Sequence, residues 1–309
     1  MHFALKIYKM ARLESWLKSF RLRTLPLSFS SVILGSFLAS FKGFFHFPVL
    51  IWALLTTLFL QILSNLANDY GDTVHGVDNH MRLGPKRAIQ TGEISLKQMR
   101  SAIIIFTLLS LFSGIWLIVK GTEGLSFSSG LILLIIGLVA IAAAIKYTIG
   151  KKPYGYIGLG DFAVFIFFGL TGVLGTYFLH SHQLTVQEFL PAIAIGLLST
   201  GVLNLNNLRD RENDKKNGKK TLVVLLGSSK SKIYHAVLVA SAIIAALIYT
   251  FMNYQQPVQF LFLLALPLMI RNVVVVFKNK NPSELDPELK NLAIATLFFA
   301  LTFGAGLIL

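Results

Sequence analysis

Oxygen-bearing side chains recur at helical spacing near the ends of two long apolar stretches of this sequence. Asn68 and Asp72 are four residues apart, and the same step separates Asn206, Asp210 and Asp214. Because residues four apart lie on one face of a helix, each set presents its oxygens in one direction. Carboxylate and amide oxygens suit Mg²⁺, which keeps several waters and shares phosphate oxygens with a substrate. The two sets therefore predict a magnesium site that handles a phosphate group.

The two sets are related by one offset along the chain. The same 138 residues separate Asn68 from Asn206 and Asp72 from Asp210. This offset predicts two tandem halves of four helices each, followed by a ninth helix. Parallel repeats in membrane proteins place their binding site at the junction of the halves, so we expect the two sets to face each other.

Basic residues follow the first set and recur in the next polar segment of the same side. They are Arg82, Lys86, Arg87, Lys151 and Lys152. Guanidinium and ammonium groups bind phosphate oxygens, so these residues are predicted to neutralise a trianionic diphosphate. An enzyme that binds a diphosphate at the membrane edge can leave a long prenyl tail in the bilayer.

The composition requires a membrane around the helices that carry these residues. The 309 residues are 54% hydrophobic and 14% charged, and their mean hydropathy is +0.68. A soluble domain has roughly a quarter charged residues, whereas the apolar runs here reach the ~20 residues of a membrane helix. The predicted fold is therefore all-α, a single domain 1–309 that forms a polytopic membrane bundle. The predicted spans, about nine, are 24–41, 47–67, 101–119, 126–145, 159–179, 188–207, 233–252, 257–275 and 291–309.

The distribution of basic residues predicts the orientation of the bundle. With a cytoplasmic N-terminus, all of the 28 Lys and Arg residues except Lys42 and Lys120 fall on the inside, as the positive-inside rule requires. The inside segments are then the N-terminal arm 1–23 and the loops 68–100, 146–158, 208–232 and 271–290. We therefore predict an integral protein of the cytoplasmic (inner) membrane whose active site faces the cytoplasm, at the long motif loops 68–100 and 208–232. The net charge of +14 then requires no nucleic acid partner.

Other interpretations account for fewer of these residues. Solvated loop charges would explain either set alone, but carboxylates at C-terminal helix ends oppose the macrodipole. Gly158-Leu-Gly160-Asp161 is like the G-x-G-D of intramembrane aspartyl proteases, which need a second Asp inside the bilayer. A membrane transporter of an anionic substrate would use the basic loops without needing two Asn/Asp sets. The absence of cysteine excludes disulfides and thiolate chemistry.

Longer stretches around both sets form recognisable patterns. The most specific are Asn68-Asp-Tyr-Gly-Asp72 with Gly76 and Asp78, Arg82-Leu-Gly-Pro-Lys-Arg87, and Asn206-x₃-Asp210-x₃-Asp214. These patterns resemble the UbiA superfamily of intramembrane prenyltransferases. The resemblance is closest to the 1,4-dihydroxy-2-naphthoate branch of that superfamily, which acts in menaquinone biosynthesis. Less specific similarity is found in Arg23-Thr-Leu-Pro-Leu-Ser, in Tyr147 to Asp161, and in Leu285-Asp-Pro-Glu-Leu-Lys. The resemblance therefore extends over essentially the whole chain. One departure is Gly76, which stands where the superfamily pattern has a further Asp.

The resemblance implies Mg²⁺-dependent transfer of a polyprenyl group from a prenyl diphosphate to a ring carbon of an aromatic acid. In the naphthoate branch, the carboxylate at that carbon would leave as CO₂ to give a demethylmenaquinone. Relatives prenylate 4-hydroxybenzoate or homogentisate with the same metal chemistry, and these acceptors stay open. Neither the oligomeric state nor the prenyl chain length follows from the sequence.

The resemblance also implies roles for individual residues. Asp72, Asp210 and Asp214 are expected to be essential for catalysis. The expected metal ligands, direct or through water, are Asn68, Asp69, Asp72, Asp78, Asn206, Asp210 and Asp214. The expected diphosphate ligands are Arg23, Arg82, Lys86, Arg87, Lys146, Lys151 and Lys152. Tyr147 and Asp161 are expected to orient the aromatic acceptor.

Overall fold

Helices account for all of the regular structure in the part of the chain that the structure describes. The computed structural model describes residues 13–78 and 82–309. The first twelve residues of the predicted N-terminal arm, and residues 79–81 of the predicted loop 68–100, lie outside that part. The α-helices are α1 Leu13–Phe20, α2 Leu25–Phe41, α3 Phe47–Val74, α4 Leu96–Gly121, α5 Phe127–Lys146, α6 Gly160–Val164, α7 Gly175–Ser181, α8 Phe189–Lys216, α9 Leu222–Met252, α10 Leu266–Lys278 and α11 Asp286–Ile308.

Nine apolar helical segments of the described residues are long enough to cross a membrane. The prediction of an all-α bundle with about nine spans is therefore confirmed. Two spans are not plain α-helices. A π-helical stretch, Phe165–Leu174, joins α6 to α7 within one span, and a 3₁₀ stretch, Pro257–Ala265, precedes α10 within another. Pro267 stands at the start of α10, where its missing N–H does the least harm to the helical ladder.

The helices continue well beyond the predicted spans at the end that carries the Asn/Asp sets. Residues 68–74 belong to α3, residues 208–216 to α8, and residues 222–232 to α9, which is broken at Gly227. The predicted motif loop 208–232 is thus mostly helical, and the predicted loop 68–100 is shortened to the segment 75–95 between α3 and α4. Hydropathy marks where the apolar slab ends, but the backbone hydrogen bonds of a helix do not depend on side-chain polarity.

A glycine turn ends α3 and folds the chain back over the helix. Gly76 has a φ of +71°, a conformation that residues with a Cβ rarely adopt. The amide of Gly76 donates to the carbonyl of Thr73 at 3.1 Å, and the amide of Val77 donates to the carbonyl of Asp72 at 2.9 Å. This pair of bonds is a Schellman motif, and it directs Asp78 back toward the helix that it follows.

The same kind of turn ends α8, but one helical turn later than the 138-residue offset between the two sets would place it. Gly218 has a φ of +75°. Its amide donates to the carbonyl of Lys215 at 3.2 Å, and the amide of Lys219 donates to the carbonyl of Asp214 at 2.9 Å. Asp214 therefore still lies on a helix, whereas the equivalent position of the first set is the turn glycine, Gly76. This extra helical turn of α8 explains why the second set has an Asp where the first set has Gly76.

The apolar core has two main parts. The larger one joins α2, the π-helical stretch and α8 to α11, with Leu198, Tyr249 and Phe303 fully or almost fully buried. The other part joins α3 and α4 around Leu63 and Met99. In contrast, α5 has no buried residue. The ends of α3 and α8 lie between the two parts, where the polar sets face each other.

Candidate active site

A cavity of about 450 Å³ separates the two halves of the bundle. Its walls come from α2, α3, α4, α5, α8 and the π-helical stretch. Both Asn/Asp sets line it, and the lining members are Asn68, Asp72, Asp78, Asn206, Asp210 and Asp214. The fold thus brings six of the seven predicted metal ligands to one space.

Asp69 is the predicted ligand that does not line the cavity. Its side chain is 2% exposed and forms ion pairs with both Arg21 and Arg87. Because successive residues of a helix point about 100° apart, the Asp69 side chain lies to one side of those of Asn68 and Asp72. In this structure the Asp69 carboxylate binds two guanidinium groups of the protein and holds the N-terminal segment against the loop after α3.

Asp72 is the most highly coordinated carboxylate of the first set. Its Oδ1 accepts from the hydroxyl of Tyr156 at 2.6 Å and from the ammonium of Lys219 at 3.0 Å. The other oxygen lies 3.8 Å from Nη2 of Arg87. Burial, together with the charge of Asp72, raises the pKa of the Tyr156 phenol, so this phenol stays protonated and donates.

Asn68 is oriented by the loop that follows α5. The hydroxyl of Thr148 lies 3.3 Å from Oδ1 of Asn68 and 2.9 Å from the carbonyl of Ala67. Gly71 permits this contact, because a Cβ at Gly71 would lie 2.6 Å from the carbonyl oxygen of Thr148. A backbone atom cannot yield as a flexible side chain can, so this close approach requires glycine.

The glycine turn after α3 returns Asp78 to the cavity. Its carboxylate oxygens lie 3.0 Å from Nε of Arg82 and 3.3 Å from Nε of Arg87. Burial, followed by the charge of Asp72, raises the pKa of Asp78 to about 7, against the attraction of Arg82. The first set thereby regains the carboxylate that its helix lacks at Gly76.

The second set is held by a guanidinium that sequence reasoning missed. The side chain of Arg209 is 1% exposed. Its Nε and Nη2 donate to the two oxygens of Asp210 at 3.1 and 2.6 Å, and Nη2 also donates to Oδ1 of Asn206 at 2.9 Å. Its Nη1 binds Asp286 at the start of α11. Arg209 therefore orients two predicted ligands at once and connects them to the last helix.

Lys219 connects the two sets directly. Its ammonium lies 3.0 Å from Oδ1 of Asp72 and 3.6 Å from Oδ1 of Asp214. It also lies 4.4 Å from the centre of the Tyr156 ring, which is a cation–π distance. Burial lowers the pKa of Lys219, but the carboxylates of Asp72 and Asp214 outweigh burial and raise it above the ordinary value.

The structure separates the predicted diphosphate ligands into two groups. Arg82 and Arg87 line the cavity. The others are exposed and off its walls, namely Arg23, Lys86, Lys146, Lys151 and Lys152. Arg21 and Lys219 line the cavity in their place. Lys219 had a sequence signal, since it directly follows the helix-ending Gly218, but no local pattern pointed to Arg21.

The predicted acceptor ligands are also separated. Tyr147 lines the cavity and packs edge-on against Tyr154, with ring centres 5.3 Å apart. Burial, followed by the charge of Asp161, raises the pKa of the Tyr147 phenol, which therefore remains a hydrogen-bond donor. Asp161 lies behind the wall and accepts from the hydroxyl of Tyr234 at 3.2 Å.

The donor set fits a hard divalent cation that takes part of its coordination from a substrate. Within the two described ranges, no three His, Asp or Glu side chains are close enough to hold a metal ion by themselves. The cavity instead offers pairs of carboxylates with amide oxygens beside them. Mg²⁺ is commonly bound by one or two carboxylates together with water and substrate phosphates, so the chemistry of these donors fits it.

The cavity changes character away from the charged end. Its deeper walls are apolar and include Leu117, Ile136 and Phe168. Gly137 of α5 also lies on this wall, and a Cβ at that position would have no atom within 4 Å. A ligand with a polyanionic head and a hydrocarbon tail matches both parts of the space.

Comparison with known proteins agrees with this arrangement. Residues 28–302 match the pattern of the UbiA prenyltransferase family. The chain is 43% identical over 304 residues to the 1,4-dihydroxy-2-naphthoate octaprenyltransferase of Haemophilus influenzae, which covers 96% of this chain and 97% of that protein. It is 42% identical over 301 residues to the protein of the same name from Escherichia coli, with 97% of each chain covered.

Two solved structures of UbiA homologues have the same fold. An apo UbiA homologue from Aeropyrum pernix aligns with a TM-score of 0.69 at 17% identity, over 93% of this chain and 98% of that one. A UbiA homologue from Archaeoglobus fulgidus, bound to GPP and Mg²⁺, aligns with a TM-score of 0.60 at 18% identity, over 94% of this chain and 99% of that one. At these identities the likeness concerns the fold.

Neutralising Asp69 is expected to destabilise the protein far more than neutralising Asp72. Asp69→Asn leaves Arg21 and Arg87 without their shared carboxylate, and breaking a buried ion pair costs about 3–5 kcal/mol. Asp72→Asn costs less, because the amide oxygen still accepts from Tyr156 and Lys219, Lys219 keeps its ion pair with Asp214, and repulsion from the other carboxylates is relieved. Thermal unfolding in detergent without divalent cations measures both effects. Equal losses of stability in the two variants would contradict the distinction between a structural and a ligand carboxylate.

Proposed function

The chain belongs to the UbiA prenyltransferase family, and from that premise we propose that it transfers a polyprenyl group from a prenyl diphosphate to 1,4-dihydroxy-2-naphthoate. The observation that carries this proposal is the cavity, in which six Asn/Asp side chains and a group of cations stand at one end of a mainly apolar space between membrane helices. The full-length likeness to 1,4-dihydroxy-2-naphthoate octaprenyltransferases supports the choice of acceptor. The product would be demethylmenaquinone, formed in its reduced state.

The charged end of the cavity is the proposed diphosphate site. Asn68, Asp72, Asp78, Asn206, Asp210 and Asp214 would hold Mg²⁺, directly or through water. Mg²⁺ bound there supplies electrostatic stabilisation of the departing diphosphate. Arg82 and Arg87, with Arg21 and Lys219 beside them, stand where they can bind the remaining phosphate oxygens. Asp69 is left out of this ligand set, because its carboxylate is already bound by two guanidinium groups.

The reaction follows from this placement. The allylic C–O bond breaks, and its electron pair leaves with the diphosphate toward the basic residues. The ring carbon that bears the carboxylate bonds to the allylic carbon, and the C–CO₂ bond then breaks, so that its electron pair restores the aromatic ring. The protein's part is positioning and charge stabilisation in a space that excludes bulk water.

Tyr147 is the proposed contact for the aromatic acceptor. Its phenol is a protonated donor on the cavity wall, and Gly160 leaves room for it, since a Cβ there would lie 2.8 Å from the phenolic oxygen. Asp161 does not line the cavity, so it would not touch the acceptor. It would instead help to position α6, the helix that carries it, through its hydrogen bond with Tyr234. A relative that accepts 4-hydroxybenzoate or homogentisate would use the same diphosphate end, so the acceptor needs a direct test.

The proposed location follows from charge. The chain is an integral multi-pass membrane protein, and its charged cavity end lies on the side that holds most of the Lys and Arg residues. Lys42 and Lys120 lie at the opposite end, where they contact Asn253 and Glu123. By the positive-inside rule we place the charged end at the cytoplasmic face of the inner membrane, with the N-terminus on the same side.

An acceptor panel tests the proposed reaction. Membranes containing the protein receive one polyprenyl diphosphate together with 1,4-dihydroxy-2-naphthoate, 4-hydroxybenzoate or homogentisate, and products are identified by mass. We expect a prenylated product only with the naphthoate, lighter than the simple adduct by one CO₂, and none after EDTA treatment. A naphthoate product that keeps its carboxylate, or preferential use of another acid, would refute the acceptor assignment. Flux of diphosphate across vesicles without chemical change would instead favour the transporter hypothesis.

Removal of either central carboxylate is expected to abolish most of the metal-dependent turnover. Asp72→Ala and Asp210→Ala should each lower kcat by roughly 10²–10³-fold, the usual loss when an electrostatic stabiliser of a transition state is removed. The matched control is Glu123→Ala, which removes an exposed carboxylate at the opposite end of the bundle. Turnover is measured on purified protein whose thermal unfolding shows that it is folded. Full Mg²⁺-dependent activity in both Asp variants would overturn the metal-site assignment.

A larger side chain on the apolar wall is expected to select against long donors. Gly137→Leu places a branched side chain in open space within the cavity, so it shortens the room for a tail without disturbing the protein. We expect kcat/KM for a long-chain polyprenyl diphosphate to fall by on the order of tenfold relative to geranyl diphosphate, a typical effect of steric mismatch in an apolar pocket. Gly130→Leu, on the same helix but off the cavity wall, is the control. Equal effects on both donors would show that the tail does not run along α5.

A further inference from the structure

One cation of the protein lies between carboxylates that belong to different halves of the bundle. The ammonium of Lys219 is 3.0 Å from Oδ1 of Asp72, on α3, and 3.6 Å from Oδ1 of Asp214, on α8. Both carboxylates line the cavity, as does Lys219 itself. A single positive charge thus lies between one carboxylate of each set.

The backbone fixes this position. The amide of Lys219 closes the Schellman motif of α8 by donating to the carbonyl of Asp214 at 2.9 Å, and the amide of Lys220 donates to the carbonyl of Tyr156 at 2.8 Å. The ring of Tyr156 lies beneath the ammonium, 4.4 Å away, and its hydroxyl binds Asp72. Lys219 is therefore held at both its backbone and its side chain, unlike a lysine on an open loop.

The surrounding charges depend on this lysine. Among the described residues, Lys219 is the only cation that forms an ion pair with Asp214. Within the same residues, Asp72 pairs with Lys219 and, at 3.8 Å, with Arg87. The remaining cavity carboxylates have their own guanidinium partners, Arg209 for Asp210 and Arg82 and Arg87 for Asp78. Without Lys219, the carboxylates of the two halves would repel each other across a partly dry space.

We propose that Lys219 is a resident counter-ion that keeps the two ligand sets together in the metal-free protein and competes with the divalent cation for Asp72 and Asp214. This inference rests on the proposed use of these two carboxylates as metal ligands. A divalent cation that binds both must displace the ammonium from them, so part of the metal's binding free energy offsets the loss of two ion pairs. Lys219 would thereby lower the affinity for free metal while keeping the site assembled.

The competition predicts effects of opposite sign on stability and on metal affinity. In Lys219→Met, the metal-free protein should unfold at a lower temperature, because the carboxylates lose their shared counter-ion. The same variant should bind Mg²⁺ more tightly, with half-saturation at a concentration lower by on the order of tenfold, since about 1.4 kcal/mol of competition corresponds to that factor. A lysine that merely stabilised the fold would not make metal binding tighter when removed.

The experiment uses the full-length protein in detergent without diphosphate. Thermal unfolding is followed as a function of MgCl₂, since a ligand that binds only the folded state raises the midpoint increasingly as its concentration exceeds its Kd. Binding of Mn²⁺, read from the EPR signal of the free ion, measures affinity at one temperature. Lys219→Gln is a second neutral variant that keeps a hydrogen-bond donor in case the Met variant fails to fold. Lys219→Arg keeps the charge, and Lys220→Met neutralises the exposed neighbouring lysine; both should resemble the parent protein.

Each outcome distinguishes this inference from the proposed metal site. Tighter Mg²⁺ and Mn²⁺ binding in both neutral variants, with parental behaviour in Lys220→Met, supports the counter-ion. If the parent binds Mg²⁺ and the neutral variants bind it equally or more weakly, Lys219 does not compete and the inference is overturned. If neither the parent nor the variants respond to either cation, the metal site itself is refuted, and the inference falls with it.

Discussion

Convergence of like charges at the ends of two membrane helices is the constraint on which the rest of this structure depends. Five carboxylates, from Asp69, Asp72, Asp78, Asp210 and Asp214, gather at one end of the bundle, mostly out of solvent. Such a group is stable only when cations stand beside it. Arg21, Arg82, Arg87, Arg209 and Lys219 supply them, and they arrive from four separate stretches of the chain. Lys219, which pairs with Asp72 and Asp214, also joins the two sets at the place where the chemistry is proposed.

Helix termination determines how each half presents its oxygens. Both α3 and α8 end in a Schellman motif at a glycine of positive φ, Gly76 and Gly218. Because α8 runs one turn further, Asp214 is presented by the helix, whereas Asp78 is presented by the chain after the turn. The two halves therefore offer similar donors by different local routes. A hydrogen bond from the side-chain amide of Asn213 to the carbonyl of Val77, at 3.0 Å, joins the two helix ends.

The cavity divides the proposed work between its two regions. In the proposed reaction, the charged region would bind and stabilise a leaving diphosphate, and the apolar region would take a chain that is as insoluble in water as the lipid around it. A site open only to water could not hold such a tail, and one open only to lipid could not hold the charge. Placing the site where helices pass from hydrocarbon to the interface satisfies both demands.

The sequence by itself determined the membrane spans, their number and the positions of the oxygen donors, because these depend on apolar length, a four-residue spacing and the offset between repeats. It did not reveal where α3 and α8 end, since helix hydrogen bonds continue past the apolar slab. Only the tertiary structure decided that Asp72 faces the cavity while its near neighbour Asp69 binds Arg21 and Arg87. The tertiary structure also decided which cations reach the site: Arg21 and Lys219 line the cavity, whereas the lysines predicted from the sequence are exposed outside it. The physical reason is that ion pairs between residues far apart in the chain form only when packing brings their helices together.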